Sequence, residues 1–356
     1  MLFKRKPDHP TAATFARQCR PTLPLQFGLY PLFQRILVAS LCLLTCGPAL
    51  SHEPNAPAPQ YVLISFDGAG PLEQWHRSRA LAEETGARFT YFLSCVYLVS
   101  REDRAVYKPP LAAAGRSNVG FAESRSDVVK RLHHVWDAHV DGHEIASHGC
   151  GHFDGGGWTA AQWTAEFNQF STILADSWKL NGVADAEPDG WRDFANNEIV
   201  GFRAPYLSTG PGLFKALADA GLSYDASTVS RGPALPQDKS LTRFSLPMIP
   251  EGPNARPIIA MDYNWFVRHS GGIERGDKDS VFEERALAAM NAALEAELAG
   301  KRIPLQIGLH FTLMNDGSYW RALERFAREA CTREEVRCVT YRDWLQRDEA
   351  SSAANG

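Results

Sequence analysis

The sequence holds no basic run or face that suggests nucleic acid: 37 lysines and arginines are set against 41 acidic residues, for a net charge of −4. Proteins that grip a phosphate backbone concentrate positive charge on one face, so nucleic acid is not an expected partner. No apolar stretch approaches the ~20 residues of a membrane-spanning helix. The nearest, residues 36–44, is too short, and no stable span is expected in the mature chain. Repeats and linker-like stretches are absent from 60–346, which argues against a repeat array or a two-domain division there. Cysteine is scarce, at seven, and Cys19, Cys42 and Cys46 fall in the N-terminal segment. Cys95, Cys150, Cys331 and Cys338 remain, an even number that an exported protein can pair. A Cys331–Cys338 bridge would close a short loop. A Cys95–Cys150 bridge requires adjacent strand ends, and four reduced buried thiols are the alternative.

What is present is ordinary globular composition, 44% hydrophobic and 22% charged over 356 residues, enough for a large core. Residues 1–35 are basic and proline-containing, Arg35 precedes the apolar run, and Ala49-Leu50-Ser51 fits a small-x-small cleavage site. This is the pattern of a secretory signal peptide within 1–51, with its true start downstream of Met1. A flexible leader follows over 52–59, and a periplasmic or extracellular location is expected. A disordered tail is expected over 347–356.

Between 60 and 346, strands alternate with amphipathic helices. Strands are expected over 61–67, 88–95, 143–147, 199–203 and 222–226, near Phe244, and over 257–262, 304–311 and 336–340. Helices are expected over 72–84, 127–141, 159–180, 211–220, 281–299 and 318–330. The stretches 100–124, 181–197 and 230–256 read as surface excursions. Continuous apolar strands such as 61–66 belong to parallel sheets covered on both faces. The alternation predicts a single-domain α/β fold, a parallel barrel of about eight strands.

Several expected strands end in polar residues of different kinds. Asp67 ends the first, His148 and His152 follow the third, Arg203 ends the fourth, Asp225 lies at the fifth, and His310 closes 304–311. In a barrel such tips face one another across the carboxyl mouth. Two imidazoles four apart can converge on one cation, and imidazole suits zinc, cobalt, nickel and iron alike. A carboxylate, a metal pair, an arginine and a further histidine suit metal-assisted hydrolysis. Asp225 could equally cap its turn. His133, His134, His139 and His143 read as structural, and Trp158, Trp265 and Trp320 as core rather than a sugar platform.

In order and spacing these residues resemble the polysaccharide deacetylases with a NodB-homology domain, nearest the chitin-deacetylase-like branch. The resemblance covers about 60–346. It rests on Ser65-Phe66-Asp67, His148-Gly149-Cys150-Gly151-His152, Gly201-Phe202-Arg203-Ala204-Pro205-Tyr206 and Ile307-Gly308-Leu309-His310. It implies a distorted (β/α) barrel, a divalent metal, zinc being expected, and a polysaccharide or oligosaccharide substrate carrying N-acetylglucosamine. It also implies roles: Asp67 as base, His148 and His152 as metal ligands, Arg203 orienting the base, the Tyr206 N–H holding the oxyanion, and His310 as general acid. Asp262, in a loose version of the remaining motif, is the candidate partner of that acid. The sequence departs from the family pattern at Gly68, where a second aspartate usually supplies the third ligand. Asp154 is a candidate substitute. Gly68 also leaves room for a catalytically impaired glycan-binding protein, and the same machinery would permit an O-acetyl esterase.

Overall fold

The computed structural model describes residues 58–237 and 241–347. The expected signal segment, the leader up to residue 57 and the tail from 348 lie outside the described residues. Strand β1 (Gln60–Gly68) sets the plan. Its Val62, Ile64 and Phe66 pack outward under helices, so Leu63, Ser65 and Asp67 turn inward, because successive strand side chains point to opposite faces. Helix α1 (Leu72–Thr85) stops at Gly86, which takes φ 70°, and the chain returns in β2 (Thr90–Leu93). Helix α2 (Arg125–Val140) starts where the Ser124 hydroxyl accepts the Asp127 N–H, and leads to β3 (Glu144–Ser147).

Helix α3 (Ala160–Leu180) opens with a reciprocal cap between Thr159 and Gln162. Then come α4 (Trp191–Asn197), β4 (Gly201–Phe202), α5 (Pro211–Asp219), β5 (Tyr224–Ser230), β6 (Thr242–Glu251) and β7 (Arg256–Ile259). The chain ends with α6 (Asp262–Ser270), α7 (Val281–Leu298), β8 (Leu305–His310), α8 (Ser318–Ala330), β9 (Val336–Cys338) and a helix α9 over 341–347.

The strands lie in the order β7-β6-β5-β4-β3-β2-β1-β8, with β9 paired to the first residues of β1. All pairs are parallel except β6–β7. The sheet curls until the chain beyond β7 meets β8, where the Gly308 N–H donates to the Ala260 carbonyl at 2.9 Å. The result is the distorted (β/α) barrel that the sequence predicts. Leu63, Phe92, Ala146, Tyr224, Ala226, Phe244 and Tyr341 fill its interior. That packing leaves the carboxyl ends of the strands open for a site.

Several local expectations need correction. Strand β4 keeps only two residues of 199–203. The region 230–256 holds a ten-residue strand despite Pro247 and Pro250. Pro247 accepts the Ala260 N–H through its carbonyl at 2.9 Å, and Pro250 is exposed. Helix α4 sits inside 181–197, because Trp191, Phe194 and Ala195 form a buried stripe among polar neighbours. Asp262 does not end a strand; it begins α6. Both disulfides form, Cys95–Cys150 and Cys331–Cys338. Trp158, Trp265 and Trp320 are all buried, as core residues.

Candidate active site

Asp67 and His310 are register partners on the adjacent parallel strands β1 and β8, so both present their side chains at one strand-end level. Arg203, just beyond β4, crosses the barrel to reach the carboxylate. Its Nη1 donates to Asp67 Oδ1 at 2.8 Å and to Ser65 Oγ at 2.9 Å, and its Nε to the Ala226 carbonyl at 3.1 Å. The guanidinium lies over the Phe92 ring, 4.1 Å from its centre. Burial alone would raise the Asp67 carboxyl, but the charge of Arg203, helped by that of His310, outweighs it and holds the group below its ordinary value. Asp67 is therefore a carboxylate at neutral pH.

The turn after β3 is held from several sides. Cys150 is bonded to Cys95, and the Cys95 N–H donates to the Gly149 carbonyl at 3.0 Å. Buried Glu166 on α3 accepts the Cys150 N–H at 2.7 Å and the Tyr107 hydroxyl, whose oxygen accepts the Gly151 N–H at 3.1 Å. A Cβ at Gly151 would collide with the Phe153 and Tyr107 rings, so this turn admits only glycine there. The clasp presents His148 and His152 side by side, ring centres 5.1 Å apart and planes at 60°. His148 Nδ1 bonds the Arg203 carbonyl at 2.8 Å, which fixes the ring. Burial pushes His148 down to about 3 and also lowers His152, so both stay neutral, the form that binds a cation.

His148 Nε2 and His152 Nδ1 are buried and have no hydrogen-bond partner. Zinc–nitrogen bonds of ~2.0–2.1 Å at a tetrahedral angle place two ring centres about 5 Å apart. The pair therefore fits one divalent cation. Among the described residues no group of three histidine, cysteine or carboxylate side chains converges as a metal site. Gly68, at φ 91°, offers none, and, two residues on, the Tyr97 ring covers Gly70 so closely that a Cβ there would lie 2.7 Å away.

His310 Nδ1 bonds Asp262 Oδ1 at 2.6 Å, and the His310 backbone N–H donates to Oδ2 at 2.8 Å. Burial works against a charged ring here, yet Asp262 raises it to about 9, so His310 is an imidazolium at neutral pH with Nε2 left for the cavity. Tyr206 takes φ 59°, an uncommon conformation for a non-glycine residue, behind Pro205. Among the described residues no acceptor is paired with its N–H. Asp67, His148, His152, Tyr206 and His310 all line one cavity of about 570 Å³, with Tyr97, Met261 and Tyr263 among its apolar walls.

Arg203 and Asp262 stand behind the cavity wall and hold Asp67 and His310, whereas Asp225 and Asp154 touch neither. Tyr224 and Ala226 point into the barrel, so Asp225 between them points away. It accepts the Ser227 N–H and hydroxyl, and Ser227 Oγ accepts the Ala204 N–H at 2.8 Å, so Asp225 supports the 203–206 segment from behind. Its carboxyl is pushed up to about 6 by burial. Asp154 is exposed and turned to the Gly156 N–H at 3.0 Å, so it does not replace the missing ligand. Sequence reasoning missed Glu166, Tyr107 and Tyr341. A glutamate within an otherwise apolar helix stripe was the one available signal for Glu166.

No family model matches the chain, and no curated protein matches it. Solved structures do. A Mycobacterium smegmatis protein assigned to the polysaccharide deacetylases matches at TM-score 0.49 and 16% identity, over 84% of this chain and 96% of that one. A peptidoglycan deacetylase mutant of Bacillus subtilis matches at 0.44 and 10%, over 85% and 97%. A carbohydrate esterase family 4 pseudoenzyme from Bacillus anthracis matches at 0.43 and 9%, over 81% and 66%. All three scores lie below 0.5, and the chemistry of the cavity stands on its own side chains. The solved structures this chain is similar to are thus polysaccharide deacetylases and carbohydrate esterase relatives, a pseudoenzyme among them.

Proposed function

We propose that the protein is an exported, divalent-metal-dependent hydrolase that removes N-acetyl groups from N-acetylglucosamine-containing polysaccharide, chitin-type or peptidoglycan. The observation that carries this reading is the pairing of an ionised carboxylate with a protonated imidazole on register-matched strand ends. Both share one cavity with two orphaned imidazole nitrogens. A cation held by His148 and His152 would supply polarisation of the acetyl carbonyl and acidification of a water.

Asp67, one oxygen held by Arg203, takes a proton from the water that attacks the acetyl carbon. The Tyr206 N–H faces the carbonyl oxygen as it becomes negative. His310 gives its Nε2 proton to the amide nitrogen as the carbon–nitrogen bond breaks, and acetate and a free amine leave. Acetate release from chitooligosaccharides, peptidoglycan and acetylxylan, with and without added cation, tests the reading. Release from an N-acetylated glycan that a chelator abolishes is the expected result. Preference for acetylxylan would make the protein an O-acetyl esterase. Glycan binding with no acetate from any substrate would make it a binding protein, the reading that Gly68 favours.

A further inference from the structure

We infer that Tyr341 is a positioning residue for the base: its hydroxyl aims the Arg203 guanidinium, and Arg203 in turn holds Asp67. Arg203 is fully buried, so each of its N–H groups needs an acceptor inside the barrel. Nε and Nη1 find Ala226, Ser65 and Asp67. Nη2 has the Tyr341 hydroxyl oxygen, at 2.9 Å. That hydroxyl passes its own proton to Gln306 Oε1 at 3.1 Å, which turns its lone pairs toward Arg203. Gln306 lies on β8, the strand that ends in His310. One buried chain of hydrogen bonds thus links Gln306, Tyr341, Arg203 and Asp67.

Tyr341 is itself held rigidly. Its backbone N–H donates to Thr90 Oγ1 at 3.2 Å, and the Thr90 hydroxyl donates to buried Glu144 at 2.9 Å. Its ring stacks on Tyr224 at 5.5 Å and meets Phe244 edge-on at 4.8 Å. A phenylalanine fills the same ring slot, so a purely structural Tyr341 tolerates that change. A positioning Tyr341 does not: Nη2 loses its acceptor in a dry interior, and the guanidinium rotates away from the geometry that pairs it with Asp67.

The test is Tyr341→Phe in the full chain. Its kinetic arm rests on the deacetylase reading; its spectroscopic arm does not. In the wild type the side-chain N–H signals of Arg203 in ¹H–¹⁵N NMR are separate, because the pinned guanidinium rotates slowly; in the variant they merge. With an acetylated chitooligosaccharide, kcat falls about tenfold while KM stays within about twofold, since misorientation of a catalytic group is felt in the chemical step. Cation content is unchanged. Gln306→Met, which keeps Tyr341 but frees its hydroxyl rotor, moves both readouts in the same direction by less, and it carries the test if Tyr341→Phe does not fold. Arg203 signals that remain separate in the folded variant overturn the proposal, as does an unchanged kcat in an active enzyme. If the wild type releases no acetate from any glycan, the hydrolase reading falls and the Arg203 spectrum alone decides the role of Tyr341.

Discussion

Asp262 grips His310 at two points, the ring Nδ1 through Oδ1 at 2.6 Å and the backbone N–H through Oδ2 at 2.8 Å. One carboxylate therefore sets the position, the tautomer and the charge of the ring together. Asp262 can do this because it opens α6 immediately beyond the bridge between Met261 and Gly308, beside the end of β8.

Removing the His310 ring is the direct test of its proposed role as acid. His310→Ala is expected to lower kcat by roughly 10²–10³-fold while leaving cation binding intact. The alkaline limb of the wild-type rate profile is expected at about pH 9, where His310 loses its proton. Asp262→Asn moves that limb toward the ordinary imidazole value of 6.5. Stability follows the same sign: the folded value is the higher one, so the pair stabilises in full below about pH 6.5 and loses this as pH rises through about 9. Rate and thermal melting profiles from pH 6 to 10 measure both.

The proposed cation site has a simple signature. His148→Ala and His152→Ala each leave a single imidazole and are expected to abolish stoichiometric zinc in metal analysis of the purified protein. A bound cation stabilises the native state by mass action, so a chelator lowers the melting temperature of the wild type but not of either variant.

Gly68→Asp adds a carboxylate beside the histidine pair and is expected to raise divalent-cation affinity in calorimetric titration. The same change puts a side chain at φ 91°, in the left-handed region, which costs about 1–2 kcal/mol. The metal-free variant therefore melts below the metal-free wild type, while added cation stabilises it more. A Cβ at residue 68 would sit 3.8 Å from Tyr97, so space does not oppose the substitution.

The Cys95–Cys150 bridge closes a loop of sequence separation 55 and clamps the turn between the two histidines. Replacing both cysteines by alanine is expected to cost roughly 2–4 kcal/mol in denaturant unfolding. It should also weaken cation binding, because the His148–His152 geometry loses one of its anchors. Removing Cys331–Cys338, which lies at the other end of β1 beside β9, should leave cation affinity unchanged.

The strand-end residues were legible because each strand carries its own period: an apolar run that stops in Asp67, or a turn rich in glycine that bears His148 and His152, is a local pattern. Helix α4 and the length of β6 were less legible, because polar residues diluted one stripe and prolines masked the other pattern. Asp225 shows the limit within a single strand. Its neighbourhood and chemistry matched a site residue, and only the inward placement of Tyr224 and Ala226 reveals that it faces the other way.

By itself, the sequence determined the alternation of strands and helices and the kinds of side chain delivered at the strand ends, since both follow from short-range periodicity. Tertiary structure alone decided which of them meet. The curl of the sheet sets Asp262 against His310. The return of α9 brings Tyr341 to Arg203 across 138 residues. Glu166 reaches the turn that bears His148 and His152 from a separate helix. Such contacts depend on strand register and on how far the barrel closes, and no local stretch of chain encodes either.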